Sequence, residues 1–156
     1  MIKNLKESIQ IPMVGFGTYL INNEETGKYV LSAIRAGYRH IDTAEAYGNE
    51  EGVGLAIKNA QSELGLSREE IFVTTKLFPG NEAWGQPPKT YESTLKSFNA
   101  SLEKLKLDYI DLYLIHAPFS KDNRLEQWRA LSELQKLGKA KSIGVCNYNE
   151  VHIEEI

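Results

Sequence analysis

Residues 42–50, with the sequence DTAEAYGNE, join a short strand-like run to a helix-like run. They place a carboxylate, Asp42, and a phenol, Tyr47, on the loop between the two elements. In parallel α/β folds such a loop lies at the C-terminal edge of the sheet, where active sites are built. Taken alone, the stretch has a simpler interpretation, because an Asp that follows a strand often only caps a helix. Its meaning therefore depends on how the other strands end.

Apolar runs and helical stripes alternate on both sides of this loop. A short hairpin is predicted over residues 5–12, and five strand–helix units follow, the last of them incomplete. We find no linker between domains, so residues 1–156 are expected to form a single domain. The spacing suits right-handed βαβ crossovers and predicts an α/β fold with a parallel sheet. The predicted strands cover residues 13–16, 39–42, 71–75, 111–115 and 142–145. Four predicted helices begin near residues 23, 49, 89 and 126 and end at Gly37, Gly65, Leu105 and Gly138, and a fifth, incomplete helix begins near residue 149.

Composition and charge disfavour several classes of function. The chain has 156 residues, of which 42% are apolar and 25% charged, as is usual for a globular protein. Its net charge of -3 and the lack of a basic block give no sign of nucleic-acid or anionic-membrane binding. Cys146 is the single cysteine, which excludes an internal disulfide, and the three histidines do not form a ligand cluster in the sequence, so no metal is expected. No apolar signal core or bilayer-spanning run is present, and a cytoplasmic location is expected.

A polar residue stands at or just after the end of each predicted strand. Because parallel strands end at the same edge of a sheet, these side chains should surround one opening. A lysine that is partly withdrawn from water also needs a partner, and Asp42 precedes Lys76 on the neighbouring strand. The simpler alternative is a solvated rim of capping residues. The five residues are Thr18, Asp42, Lys76, His116 and Asn147.

This combination is suited to donating a proton to a carbonyl. A free phenol has a pKa of about 10 and is a reluctant acid at neutral pH. A lysine ammonium beside a phenol stabilises the phenolate, and a carboxylate keeps that ammonium charged. Lys76 and Asp42 would fill these two roles for Tyr47. His116 would hydrogen-bond a substrate oxygen and orient it.

Five sequence blocks coincide with the predicted strand ends: GTY at 17–19, DTAEAYGNE at 42–50, KLF at 76–78, LIH at 114–116 and GVCNY at 144–148. In this order and spacing they resemble the aldo-keto reductase superfamily, and the resemblance covers essentially the whole chain. It implies a (β/α)8 TIM barrel that reduces aldehydes and ketones to alcohols with NADPH and without a metal. The chain would be the N-terminal portion of that barrel, truncated to about five β/α units after a short N-terminal hairpin.

The resemblance also assigns roles to individual residues. Tyr47 matches the proton donor of the family, Lys76 and Asp42 the pair that tunes it, and His116 the residue that orients the carbonyl. A second set matches positions at the cofactor or in the substrate pocket. For NADPH these are Thr18, Tyr19, Asp42 and Asn147, and for the substrate Tyr19, Phe78 and His116.

Two positions depart from the family pattern. Cys146 stands where the family usually has Ser, which weakens one cofactor hydrogen bond because a thiol is a poor donor. Ala117 stands where many members have a bulky aromatic residue, so the pocket wall is expected to be more open there. Neither change removes one of the four catalytic positions. Trp84 and Trp128 are interpreted as packing residues or loop anchors.

The number of strands leaves several alternatives open. A complete barrel takes about 250 residues and eight strands, whereas five are predicted here. The chain is a fragment of a longer enzyme, one of two copies that complete a sheet together, or a shortened form that has lost catalysis. A full-length protein is expected to be a monomer, and a truncated one would self-associate through its open sheet edges. A flavodoxin-like arrangement is a further alternative for the fold.

The function also has alternatives. A non-catalytic nucleotide-binding or regulatory protein on a partial aldo-keto reductase scaffold would bind NADPH with negligible turnover. A metal-dependent hydrolase or isomerase is less favoured, because His40, His116 and His152 lack neighbouring ligand residues in the sequence. In the favoured interpretation the partner is a small aldehyde or ketone.

Overall fold

Strands and helices alternate through this computed structural model, which describes residues 2–6 and 9–156. A hairpin of two antiparallel strands precedes a parallel sheet with the strand order β3-β4-β5-β6-β7. The expected α/β class and N-terminal hairpin are therefore confirmed. The strands are β1 (Ile2–Lys6), β2 (Ile9–Pro12), β3 (Phe16–Gly17), β4 (His40–Asp42), β5 (Phe72–Leu77), β6 (Ile110–Ile115) and β7 (Ala140–Val145). The helices are α1 (Asn23–Arg35), α2 (Glu50–Leu64), α3 (Tyr91–Leu105), α4 (Arg124–Lys136) and α5 (Glu150–Glu154).

The prediction of a buried strand over residues 13–16 is wrong. Met13 and Val14 are 54% and 60% exposed, and only Phe16 and Gly17 pair with β4. This segment connects the hairpin to β3, which is an edge strand of the sheet among the described strands. An apolar run of four residues does not distinguish such a connection from a buried strand.

Other boundaries differ from the predictions by a few residues. Strand β5 continues to Leu77, so Lys76 lies inside the strand rather than after it. The loop after β5 has structure of its own, with a 3-10 turn at Glu82–Trp84 and an antiparallel bridge between Asn81 and Gln86. Leu64 and Leu137 are exposed, and each stands at a helix end.

The helices pack against one face of the sheet through the predicted apolar stripes. Val53, Ala56 and Ile57 of α2 are buried in the same cluster as Phe98 and Leu105 of α3. Between these helices a Cβ at Gly54 would lie 2.3 Å from the carbonyl oxygen of Leu105, so only a glycine permits their close approach. Among the described helices, none is both long and apolar enough to cross a bilayer.

The parallel register brings the strand ends to one edge. Asp42 lies opposite Thr74, two residues before Lys76, so the Asp42 and Lys76 side chains share a face on adjacent strands. The His116 N–H donates to the Leu77 carbonyl at 3.0 Å, which aligns the end of β6 with the end of β5. The next strand follows in the same way, since the Cys146 N–H donates to the Ile115 carbonyl at 2.8 Å.

Candidate active site

A cavity of about 500 Å³ opens at the C-terminal edge of the sheet. Five of the residues predicted for the site line it, and Thr18, Asp42 and Lys76 are not among its lining residues. The lining residues are Tyr19, Ala46, Tyr47, Phe78, Trp84, His116, Ala117, Phe119 and Asn147.

The structure pairs Lys76 with Asp42. Lys76 is 5% exposed, and its Nζ donates to Asp42 Oδ1 at 2.6 Å and to the Thr43 carbonyl at 2.9 Å. A buried ammonium is stable only when such acceptors compensate for lost hydration. With two of its three N–H donors engaged, the ammonium has a fixed position beneath the cavity.

Tyr47 ends a 3-10 turn, Glu45–Tyr47, that is closed by Gly48 in the left-handed conformation. The Tyr47 ring lies with its centre 5.0 Å from Lys76 Nζ. Within residues 2–6 and 9–156 no hydrogen bond joins Lys76 to the Tyr47 hydroxyl, so the ammonium faces the ring rather than the oxygen. This is the geometry of a cation–π contact between Lys76 and the Tyr47 ring.

His116 lies edge-on to Tyr47, with ring centres 5.4 Å apart. Burial lowers the pKa of His116 below its ordinary 6.5, the charge of Lys76 lowers it further, and Asp42 opposes both. The imidazole is therefore neutral at neutral pH, with one nitrogen that donates and one that accepts. A neutral imidazole can donate a hydrogen bond to a carbonyl oxygen placed beside the Tyr47 hydroxyl.

Asn147 contacts the backbone of His116, and Tyr19 contacts the ring of Tyr47. Asn147 has a left-handed backbone (φ 61°), and its side-chain N–H group donates to the His116 carbonyl at 2.8 Å. The side-chain oxygen accepts no hydrogen bond from the described residues, which leaves an acceptor suited to the carboxamide of a nicotinamide. Tyr19 is 66% exposed and its ring centre lies 5.1 Å from that of Tyr47.

Thr18 is placed differently from the other predicted cofactor residues. It is fully buried, and its hydroxyl faces the Asp42 carbonyl at 3.2 Å and Asn49 Oδ1 at 3.3 Å. These contacts join the loop before α1 to the end of β4. A direct contact between Thr18 and a cofactor stays a prediction.

The sequence analysis gives Asn49 no role beyond its place in the motif, although its side chain connects the loop of Tyr19 to the loop of Tyr47. Its amide nitrogen donates to the carbonyls of Thr18 and Ile21, both at 2.8 Å, and its amide oxygen accepts from Thr43 at 2.8 Å. The side chain is fully buried, so these bonds hold the loop that carries Tyr19 against the loop that carries Tyr47. An Asn at the predicted start of a helix was the signal available in the sequence.

Trp84 is not buried as a core packing residue, and its other interpretation, as a loop anchor, stays a prediction. Trp84 is 65% exposed and lines the cavity, whereas Trp128 packs against the core. The Trp84 ring is nearly parallel to that of Phe78, with centres 6.3 Å apart, and Phe119 meets it edge-on at 5.6 Å. We refer to Phe78, Trp84 and Phe119 as the aromatic wall. An aromatic residue in a loop rich in Gly and Pro was the signal for it.

No group of three or more His, Cys, Asp and Glu side chains that could hold a metal occurs in the part of the chain that the structure describes. The charge nearest to the Tyr47 ring is instead that of Lys76, which is paired with Asp42. The arrangement provides a phenol, a neutral imidazole and a fixed positive charge, which together can bind a carbonyl and protonate its oxygen.

Comparison with known proteins identifies the family. The sequence profile of the Aldo/keto reductase family matches residues 13–156. Glyoxal reductase of Bacillus subtilis (strain 168) is 47% identical over 153 residues, which are 97% of this chain and 51% of that protein. Methylglyoxal reductase DkgA of Escherichia coli (strain K12) is 44% identical over 153 residues, with the same two coverages of 97% and 51%. The chain thus spans about half the length of these curated relatives.

Solved structures agree with this result. An aldo/keto reductase from Brucella melitensis matches with a TM-score of 0.87 and 47% identity, over 99% of this chain and 56% of that one. A Bombyx mori aldo-keto reductase in complex with NADP matches with a TM-score of 0.87 and 38% identity, over 99% and 52%. The five-stranded parallel sheet therefore corresponds to about half of these aldo-keto reductase chains.

Proposed function

The chain belongs to the aldo/keto reductase family, and from this premise we propose that it carries the proton-donating part of an NADPH-dependent site that reduces aldehydes and ketones to alcohols. The observation that supports the proposal is the position of Tyr47, which lies at the cavity between His116 and Tyr19 with the Lys76 ammonium 5.0 Å from its ring centre.

In the proposed reaction, a carbonyl oxygen enters the cavity and accepts a hydrogen bond from neutral His116. The Tyr47 hydroxyl donates its proton to that oxygen as the carbonyl carbon is reduced. The phenolate left on Tyr47 is stabilised by the Lys76 ammonium, and Asp42 keeps the ammonium paired. A bound nicotinamide cofactor would supply the hydride to the carbon.

The residues present fit the nicotinamide end of such a cofactor. The free amide oxygen of Asn147 would accept from the carboxamide, and Tyr19 would cover the ring. We propose Asp42 and Thr18 as further cofactor residues. The Bombyx mori relative binds NADP, which favours NADPH as the reductant. The named relatives act on glyoxal and methylglyoxal, and we propose a small aldehyde or ketone as the substrate here. We further propose a cytoplasmic, monomeric full-length protein.

The test is NADPH oxidation by the purified protein with methylglyoxal, compared between wild type and Tyr47→Phe. Removing the hydroxyl should lower the turnover rate by about 10²- to 10⁴-fold, the usual contribution of a general acid. Tyr29→Phe is the matched control, because Tyr29 lies on the exposed side of α1 and should leave turnover unchanged.

Full activity of Tyr47→Phe would refute the assigned proton donor. Saturable NADPH binding by the wild type without consumption of any carbonyl would instead support a non-catalytic nucleotide-binding protein.

A further inference from the structure

The carboxylate of Glu45 contacts both ends of the loop that carries Trp84. The Phe78 backbone N–H donates to Glu45 Oε2 at 2.9 Å, just before the loop begins. Lys89, at the end of the loop, donates from Nζ to Glu45 Oε1 at 2.7 Å. Glu45 itself belongs to the 3-10 turn that ends at Tyr47. One side chain therefore joins the turn of the proposed acid to the base of the neighbouring loop.

The loop, residues 79–88, is closed at its base. The Lys89 N–H donates to the Pro79 carbonyl at 2.9 Å, and the buried Gln127 amide donates to the carbonyls of Pro79 at 3.1 Å and Lys89 at 2.9 Å. Gly80 has φ 87°, and a Cβ there would lie 2.2 Å from the Pro87 carbonyl oxygen. A loop closed in this way moves as a unit, so a shift at its base is transmitted to Trp84.

Glu45 makes an ion pair and a charge-assisted hydrogen bond, which are stronger than hydrogen bonds between neutral groups. The side chains of Glu45 and Lys89 are only 24% and 17% exposed, so the ion pair is partly shielded from water. A charged carboxylate is also a better acceptor for the Phe78 N–H than a neutral group or water would be. Tyr47 has supports besides Glu45, because its turn is closed by the Tyr47 N–H to Ala44 carbonyl bond at 3.0 Å. Loss of Glu45 should therefore displace the wall more than the acid.

We propose that Glu45 is a positioning residue that holds Phe78 and Trp84 of the aromatic wall at a fixed distance from Tyr47, and that it thereby favours substrates with a flat aryl group beside the carbonyl. Glu45 contacts neither substrate nor cofactor in this proposal. An aryl aldehyde needs both the acid and the wall in place, whereas a carbonyl the size of methylglyoxal needs only Tyr47 and His116. The inference rests on the proposed reductase function.

The test compares benzaldehyde with methylglyoxal in wild type, Glu45→Ala and Glu45→Gln. For Glu45→Ala we expect the KM for benzaldehyde to rise about tenfold, because a displaced wall loses apolar contact with the aryl group, while kcat for methylglyoxal stays within about threefold. The KM of Glu45→Gln for benzaldehyde should lie between those of the wild type and Glu45→Ala. Its amide oxygen still accepts from the Phe78 N–H, but the neutral amide no longer forms an ion pair with Lys89. Glu63→Gln is the matched control, because it removes an exposed ion pair with Arg35 on the helix surface.

An equal loss of kcat for both substrates would overturn the inference, because Glu45 would then act on the acid rather than on the wall. Unchanged kinetics in Glu45→Ala would overturn it as well. Hydrogen–deuterium exchange over residues 78–89 gives a readout that needs no turnover. It should become about tenfold faster in Glu45→Ala and stay unchanged in Glu63→Gln, and unchanged exchange in both would refute the contact role.

The same experiments separate this inference from the function on which it rests. A wild type that consumes neither carbonyl would refute the proposed reductase, and the exchange measurement alone would then decide whether Glu45 holds the loop. A wild type that reduces both carbonyls, with Glu45→Ala indistinguishable from it, would refute the positioning role and leave the reductase proposal intact.

Discussion

The two sides of the cavity are built in different ways. One is the acid corner, by which we mean the lining residues Tyr47 and His116 together with the Asp42–Lys76 pair, which does not itself line the cavity, and the other is the aromatic wall. The acid corner depends on strand register, because Asp42 and Lys76 leave adjacent parallel strands on the same face. The wall is carried by loops, which are held by side-chain contacts from elsewhere in the chain. The sheet thus fixes the position of the Asp42–Lys76 pair, and the loops fix the shape of the pocket at the aromatic wall.

The two sides also differ in their physical character. The acid corner contains a buried ion pair that is compensated by hydrogen bonds. The wall presents apolar rings, and Trp84 among them is largely exposed to the cavity. A substitution in the acid corner should therefore reduce the rate for every substrate. The effect of a substitution in the aromatic wall should depend on which group of the substrate contacts the wall.

Among variants that keep the Tyr47 hydroxyl, the largest effect is expected from Lys76→Met. The substitution keeps much of the side-chain volume but removes the positive charge beside the Tyr47 ring, and on the proposed mechanism we expect kcat to fall about 10²-fold for aryl and small carbonyls alike. Steady-state kinetics with benzaldehyde and methylglyoxal check this. A loss confined to one substrate would contradict the separation between the corner and the wall.

Stability gives a control for this variant. Lys76 is more deeply buried than Asp42, whose side chain is 33% exposed. Asp42→Ala, which leaves a buried ammonium without its partner, should destabilise the fold more than Lys76→Met does, by a difference on the order of 2 kcal/mol. Urea unfolding of both variants measures it, and the opposite order would mean that the ammonium is adequately solvated.

A smaller and selective effect is expected from Trp84→Ala. The KM for benzaldehyde should rise about tenfold, equivalent to about 1.4 kcal/mol, because an apolar face of the pocket is lost. Both kinetic constants for methylglyoxal should stay within about twofold. Trp84→Phe should restore most of the affinity, since a smaller ring still meets Phe78 and Phe119. An equal loss for both carbonyls would show that Trp84 supports the acid corner.

The same contrast explains what the sequence could predict. The order of strands and helices follows from apolar periodicity and from the glycines that end the helices, and the structure confirms the parallel α/β arrangement. Once the strands are parallel, residues near their ends such as Asp42 and Lys76 must meet at one edge. Local reasoning was therefore sufficient for this side of the cavity.

The wall could not be predicted in this way. The position of Trp84 depends on contacts that are distant in sequence, such as those of Glu45 with Lys89 and of Gln127 with Pro79. No local pattern encodes the direction of a ten-residue loop, and Glu45 is indistinguishable in sequence from an ordinary first-turn carboxylate. The same limit explains the error over residues 13–16, where burial depends on a neighbouring strand rather than on the segment itself.

The smallest expected effect is a difference in the pH dependence of stability. Burial lowers the pKa of His116 in the folded protein, with Lys76 acting in the same direction and Asp42 against it. An unfolded histidine titrates near about 6.5, so below that pH the unfolded chain binds more protons than the folded one. The free energy of unfolding should therefore fall as the pH drops from about 6.5 toward the folded pKa, by at most about 1.4 kcal/mol per pH unit for one proton. Burial lowers the pKa of His40 as well, which adds to the same slope.

His116→Gln removes one of these protons and should flatten the slope, whereas Trp84→Ala should leave it unchanged because the aromatic wall has no titratable side chain. Urea unfolding of the wild type and both variants between about pH 7.5 and 5.5 measures the slopes. The free energy of unfolding at about pH 7.5 is the reference, because His116 and His40 are neutral there. An unchanged slope in His116→Gln would mean that His116 is no more difficult to protonate in the folded protein than in the unfolded chain. It would then lie in a more hydrated environment than its burial indicates, and the claim that the acid corner differs electrostatically from the wall would rest on the Lys76–Asp42 pair alone.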